Sequence, residues 1–142
     1  MQKSLDLFRI VPAIVPVVVA DNTATTPVTV DKRGYTGVTF AIVTGTLADV
    51  NATFAVLVED SPDDSNWTAA ADAVLLTQTS GTAPETAASF TFADDNEVRK
   101  IDYVGLQPYV RITITPSGNS GDAPLAAVAI LRGGNAPVAT YT

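Results

Sequence analysis

From Val28 onward the chain is organised by runs in which apolar residues recur at every second position. In GVTFAIVTG, Val38, Phe40 and Ile42 share one face, with Thr39, Ala41 and Val43 on the other. ATFAVLVED repeats the arrangement, with Phe54, Val56 and Val58 inward and Ala55, Leu57 and Glu59 opposite. PYVRITITP is the clearest case, Val110, Ile112 and Ile114 alternating with Tyr109, Arg111, Thr113 and Thr115. Successive side chains of a pleated strand point to opposite faces, so each run predicts a strand with one buried face. APLAAVAILRG predicts another, in which Ala126, Val128 and Ile130 alternate with Ala127, Ala129 and Leu131. PVTVD, ADAVLLT, ASFTFAD and RKIDYVG are shorter strand candidates.

The segments between these runs carry turn chemistry. TGTLADVN, SPDDSN, SGTAPET, ADDNE and PSGNSGDAP place Gly, Pro, Asn and Asp at short intervals, residues that pre-set or tolerate turn dihedrals. Strands every ten residues or so, joined by such turns, predict an all-β antiparallel sandwich or small barrel, not a parallel α/β sheet. No stretch holds a helical period beyond two turns, and no repeat of solenoid length is present. The expected organisation is one β domain over residues 21–142, preceded by an extended N-terminal arm over residues 1–20.

That arm, MQKSLDLFRIVPAIVPVVVA, has the outline of a secretory signal, with Lys3 and Arg9 ahead of an apolar tract. Asp6 in the basic region and Pro12 and Pro16 inside the tract argue against it, and the tract is too short to cross a bilayer as a helix. Proline excludes a helix here and restricts the segment to extended or edge geometry. Two readings follow: an edge strand of its own domain, or an adhesive segment that docks on a neighbouring subunit by strand addition or apolar burial. On the second, Leu7, Phe8, Ile10, Val11, Ile14 and Val15 are the candidate partner-binding residues, and removing residues 1–20 should leave a folded domain that no longer binds.

Composition narrows the chemistry. The apolar share is 46%, and there is neither a cysteine nor a histidine, so no disulfide, thiolate nucleophile, imidazole base or Cys/His zinc site can be built. The absence of cysteine leaves the redox compartment open. A formal net charge of −7 with only eight Lys and Arg repels phosphate backbones, so nucleic acid is not expected as a partner.

The passage LVEDSPDDSNWTAAAD concentrates five acids around Pro62 and Trp67. Counted from Asp60 as a calcium loop, the sixth position is Ser65 where glycine is needed, and the twelfth is Ala71 where a bidentate acid is needed. Pro62 followed by Asp63 and Asp64 instead predicts a hairpin turn, with Trp67 opening the return strand. ADDNEVRK reads as a solvated connection, and its acids lack the apolar pocket that raises a catalytic carboxyl. RGY at Arg33 and LRGGN at Arg132 lack the spacing and the following helix of a phosphate loop. No catalytic residue, metal site or cofactor is therefore expected.

Four passages in order, DKRGYTGVTFAIVTG, FAVLVEDSPDDSNWTAAADA, RKIDYVGLQPYVRITITPSGNSG and VAILRGGNAPVA, resemble small head structural proteins of tailed bacteriophages and prophages. The resemblance spans roughly Asp31 to Ala139 and rests on the ordered set, no single motif being specific. It departs at Pro108, where a charged or polar residue is common, and at Gly133–Gly134, where histidine is often seen. It implies a jelly-roll-like sandwich acting as a capsid decoration or cement protein, a homo-oligomer (dimer or trimer) bound to the major capsid protein on the outer surface of the virion, with no active site and no membrane partner. A head–tail connector or tail protein shares that outline. A carbohydrate-binding β-sandwich is the alternative from another class, and Trp67, Tyr103 and Tyr109 are its only aromatic candidates.

Overall fold

The computed structural model describes residues 8–134. Ten strands, β1 Phe8–Val19, β2 Val30–Asp31, β3 Gly37–Thr44, β4 Thr53–Ser61, β5 Thr68–Ala69, β6 Leu75–Leu76, β7 Phe90–Thr91, β8 Val98–Tyr103, β9 Tyr109–Ser117 and β10 Ala123–Arg132, form two antiparallel sheets. Sheet A runs β1-β10-β3-β8-β6; sheet B runs β2-β9-β4-β5, with β7 also on β4. The pairings are nested, first strand with last: β1 with β10, β2 with β9, β3 with β8, β4 with β7. A long hairpin rolled up so that its strands alternate between two sheets has this order, which makes the chain an antiparallel, jelly-roll-like sandwich.

The predicted inward residues fill the space between the sheets. Val38, Phe40 and Ile42 from β3 meet Phe54, Val56 and Val58 from β4 and Val110, Ile112 and Ile114 from β9. Each large side chain so buried contributes about 1.5–3 kcal/mol relative to exposure. Phe54 and Phe90 stack at 4.9 Å between centroids. In β10 the small residues Ala123, Ala127 and Ala129, with Leu125 and Leu131, turn inward, which leaves Val128 and Ile130 on the outer side.

Phe8–Val19, the described part of the expected arm, is extended as its prolines require and pairs with β10 from Phe8↔Arg132 to Val19↔Ala123. Register shifts after Pro12 and after Ile14 turn Ala13 and Ile14 into the core, where Ile14 is 1% exposed. A segment that supplies core residues is a strand of the sandwich, so the cis edge-strand reading describes residues 8–19.

The SGTAPET turn holds an element that the sequence does not predict, α1 over Pro84–Ala88. Five residues are too few to show a helical period, although Pro84 at its first turn is a start signal. The helix lies where β4 has no strand beside it, between its pairing with β7 at Thr53 and Phe54 and with β5 at Glu59 and Asp60. There Ser89 Oγ accepts the Val56 N–H at 3.0 Å and Glu85 Oε1 the Val58 N–H at 2.5 Å. The β9 border is closed in the same way: Thr25 N–H donates to the Ile114 carbonyl at 2.9 Å, and Ile114 N–H donates to Thr25 Oγ1 at 3.0 Å.

Candidate functional site

The outer face of sheet A is apolar in successive cross-strand rows. Ile10, Ile130 and Thr39 lie abreast, ending at Asp102. Next come Pro12, Val128 and Ala41, ending at Lys100, then Ala126, Val43 and Val98. Val18 beside Pro124 completes the series. Val98 is 68% exposed, Ile10 57% and Val15 59%, so large apolar side chains face solvent on this side of the sheet. A strand apolar on both faces is the mark of a sheet covered on both sides, and β3 and β10 are of this kind with only one side covered.

Sheet B presents the opposite character. Its outward residues on β9 are Tyr109, Arg111, Thr113 and Thr115, and Arg111 pairs with Glu59 of β4 at 3.0 Å. Charge enters the sheet A face along β8, where Glu97, Arg99 and Lys100 line its larger hollow, and at one strand end, where the Arg132 guanidinium reaches Asp102 at 3.0 Å and Thr39 Oγ1 at 3.2 Å. Two hollows mark the face. One, of about 550 Å³, lies over Thr39, Ala41, Val98, Lys100 and Ile130 against Thr77. The other, of about 340 Å³, is walled by Pro16, Val17, Val18, Val43, Pro124 and Leu125 at the opposite end of the strands from Tyr103.

Of the six predicted partner-binding residues, Phe8, Ile10 and Val15 are exposed. Val11 packs against the core and Ile14 lies within it, so Ile14 is corrected to a core residue; Leu7 lies outside the described residues. Sequence reasoning missed Val43, Val98, Val128 and Ile130, which come from three distant strands. The available signal was the double-sided apolar pattern of GVTFAIVTG and APLAAVAILRG.

The acidic passage is a hairpin between β4 and β5, and most of its carboxylates are spent on structure. Asp63 accepts the backbone N–H groups of Ser65 and Asn66 at 3.0 and 2.8 Å, and the Asn66 and Ser61 side chains. Those bonds, the Asn66 backbone N–H foremost, hold its carboxyl down at about 2. Glu59 is bound to Arg111, Asp60 accepts the Tyr103 hydroxyl at 2.8 Å, and Asp64 accepts the Thr29 hydroxyl at 2.9 Å. Among the described residues no three acids are grouped as a metal site requires.

Of the aromatic candidates for a sugar platform, one is inside the fold and two are half-buried. Tyr103 is fully buried, Arg111 lies 4.2 Å over the Trp67 ring and Arg33 lies 5.4 Å over that of Tyr109. Tyr103 has a structural task. Burial, then its bond to Asp60, pushes its hydroxyl well above the usual phenol range, so it stays protonated while Gln107 N–H donates to it at 3.3 Å. Lys32, buried beside that ring, is lowered by desolvation, and its ammonium bonds the Tyr35 carbonyl at 3.4 Å.

No protein-family model matches the chain, and no curated protein matches it. Among solved structures, a chain from infectious bursal disease virus, Gx strain, is similar over 92% of this chain and 33% of its own length, at 15% identity and a TM-score of 0.44. A chain of the Clostridium thermocellum xylanase 10B, comprising CBM22-1 and GH10 modules complexed with xylohexaose, is similar over 75% of this chain and 18% of its own, at 16% identity and a TM-score of 0.35. The present chain thus spans about a third of the first and under a fifth of the second.

Proposed function

We propose that this chain is a virion structural protein, a capsid decoration or cement protein that binds the outer surface of a shell of major capsid subunits and stabilises it by adhesion, without catalysis. The observation that carries the reading is the exposed apolar face of sheet A, which runs from Ile10 across Val128 and Val43 to Val98. A contiguous run of exposed apolar side chains bordered by charged ones has the anatomy of a protein–protein interface. The ordered resemblance to phage head proteins supports the same partner. An acidic exterior suits a position outside the shell, away from packaged DNA. Attachment at many equivalent positions lets individually weak contacts hold a shell rigid.

The test is the copy number of the chain in purified particles, measured by quantitative mass spectrometry against the major capsid protein. A ratio near one, or a simple fraction of it, is expected. About a dozen copies per particle would assign the chain to the head–tail connector or tail, as symmetric rings require. Absence from particles would overturn the virion reading. Within the virion reading, Ile10→Asp and Val128→Asp are expected to abolish shell binding while the chain stays folded.

A further inference from the structure

One stretch of strand border in sheet A is open. Two bonds fix which main-chain groups of β8 face it. Thr44 N–H bonds the Glu97 carbonyl at 3.0 Å on the β3 side, and Val104 N–H bonds the Val74 carbonyl at 2.8 Å on the β6 side. Main-chain groups of successive strand residues point to opposite borders. Arg99, Ile101 and Tyr103 therefore serve β3, while Val98, Lys100 and Asp102 face the other way. β6 occupies only the far end of that border, pairing Leu75 with Tyr103 and Leu76 with Asp102. Beyond Leu76 the chain leaves the ladder, and among the described residues nothing bonds the main-chain N–H or carbonyl of Val98 or Lys100.

This border opens onto the larger hollow of the sheet A face, whose far wall is Thr77, Gln78 and Thr79 with Ala87 and Ala88 of α1. Its volume of about 550 Å³ lies within the roughly 300–1,000 Å³ of ligand clefts. The two N–H and two carbonyl groups are spaced about 7 Å apart along β8, and an extended main chain satisfies all four at once. The slot has closed ends. β6 stops an incoming strand at Asp102, and the turn through Asn96, with φ of 54°, leads the chain out of line at the other. A strand of about three residues fits between them.

Side chains select among such strands. Val98 and Lys100 stand on the outer face, abreast of Val43 and Ala41. The other charges about the slot are paired: Arg99 with Asp94 at 2.5 Å and Glu97 at 3.7 Å, and Arg132 with Asp102 at 3.0 Å. Lys100 has no ion pair among the described residues. An apolar side chain opposite Val98 and an acid opposite Lys100 make the favourable cross-strand pairs.

We infer that an extended segment of the shell subunit adds to β8 as a strand, in register with Val98 and Lys100 and with an acidic side chain against Lys100. The inference rests on the shell reading and deepens it. Val98 is the last member of the exposed apolar face, so a subunit seated there reaches the open border through the same contact. The face supplies apolar burial, and the border supplies main-chain bonds that fix the register.

Hydrogen exchange of the full chain, read by mass spectrometry both free and bound to particles, tests it. In the free chain the Val98 and Lys100 amides should exchange at once, and those of Arg99 and Ile101, bonded to β3, slowly. On the particle all four should be protected. Lys100→Pro removes one outward N–H without breaking the β3 ladder, at a kind of position where strands tolerate proline, and should weaken particle binding at least tenfold. Lys100→Ala keeps the main chain and should weaken binding less. Circular dichroism checks folding, and Val98→Pro replaces Lys100→Pro should that variant not fold. Val98 and Lys100 amides that exchange as fast on the particle as off it, or a proline variant that binds like the wild type, would overturn strand addition and leave the shell contact standing. A wild type that does not bind particles would overturn both.

Discussion

Glu85 Oε1 accepts the backbone N–H of Val58 at 2.5 Å, so a side chain of α1 stands where a neighbouring strand would bond β4. Glu85→Ala leaves that N–H without its partner and should lower stability by about 1–3 kcal/mol. Glu85→Gln keeps an acceptor oxygen and should recover most of the loss, read as the urea midpoint. The pH dependence follows from the same geometry. Burial raises the Glu85 carboxyl, the Val58 N–H opposes the rise, and the charges of Asp72 and Glu59 add to it. An acid raised in the fold contributes its stability in full below its unfolded value of about 4.3 and loses it as pH rises through the folded value. Midpoints measured upward from about pH 4 should therefore fall less in Glu85→Gln than in the wild type.

Ile14 and Val15 are adjacent and should behave oppositely. Ile14→Ala opens a cavity in the core and is expected to cost about 2–5 kcal/mol. Val15→Ser alters an exposed position and should change folding by less than about 0.5 kcal/mol. Thermal or urea unfolding of the pair distinguishes a strand that belongs to the sandwich from an arm that rests on it. Deleting residues 1–20, expected from the sequence to leave a folded domain, should instead expose β10 and unfold it, because Phe8–Val19 pairs with β10 and supplies Ala13 and Ile14 to the core.

Gly105→Ala forces a methyl against the Tyr103 hydroxyl, whose bonds to Asp60 and Gln107 hold it in place. The expected loss is about 1–3 kcal/mol, typical of overpacking. The amides of Val104 and Gln107 should lose hydrogen-exchange protection with it.

Asp63 should titrate at about 2, because the Asn66 and Ser65 amides bond its ionised form. Its contribution is present above the unfolded value of about 3.9 and is lost as pH falls through the folded one. The NMR amide shifts of Ser65 and Asn66 should move in that window and stay flat above it, and Asp63→Ala should erase the response.

β3, β4 and β9 were legible because the apolar residues of one face are buried in each: Phe40, Val56 and Ile112 announce their side by spacing alone. The SPDDSN hairpin was legible through Pro62 and Asp63, whose chemistry is local. The nested strand order was not, since pairing β1 with β10 joins Phe8 to Arg132 across nearly the whole chain. Ile14 was misplaced for a related reason: the register shift on either side of it breaks the alternation from which its side would be read. The exposed apolar face was visible only in part, because Ile10 and Val15 lie on one strand whereas Val43, Val98 and Val128 join that face only after folding.

The borders of both sheets have a collective consequence. On β4 and β9 the backbone groups bond Glu85, Ser89 and Thr25, and Pro12 and Pro16 on β1 have no N–H to give. An unguarded strand border recruits any other strand through generic main-chain bonds and grows into fibrils. Molecules packed at high density would run that risk at every copy. Where the border is closed in this way, it offers no main-chain partner to a foreign strand, and adhesion there is decided by side chains.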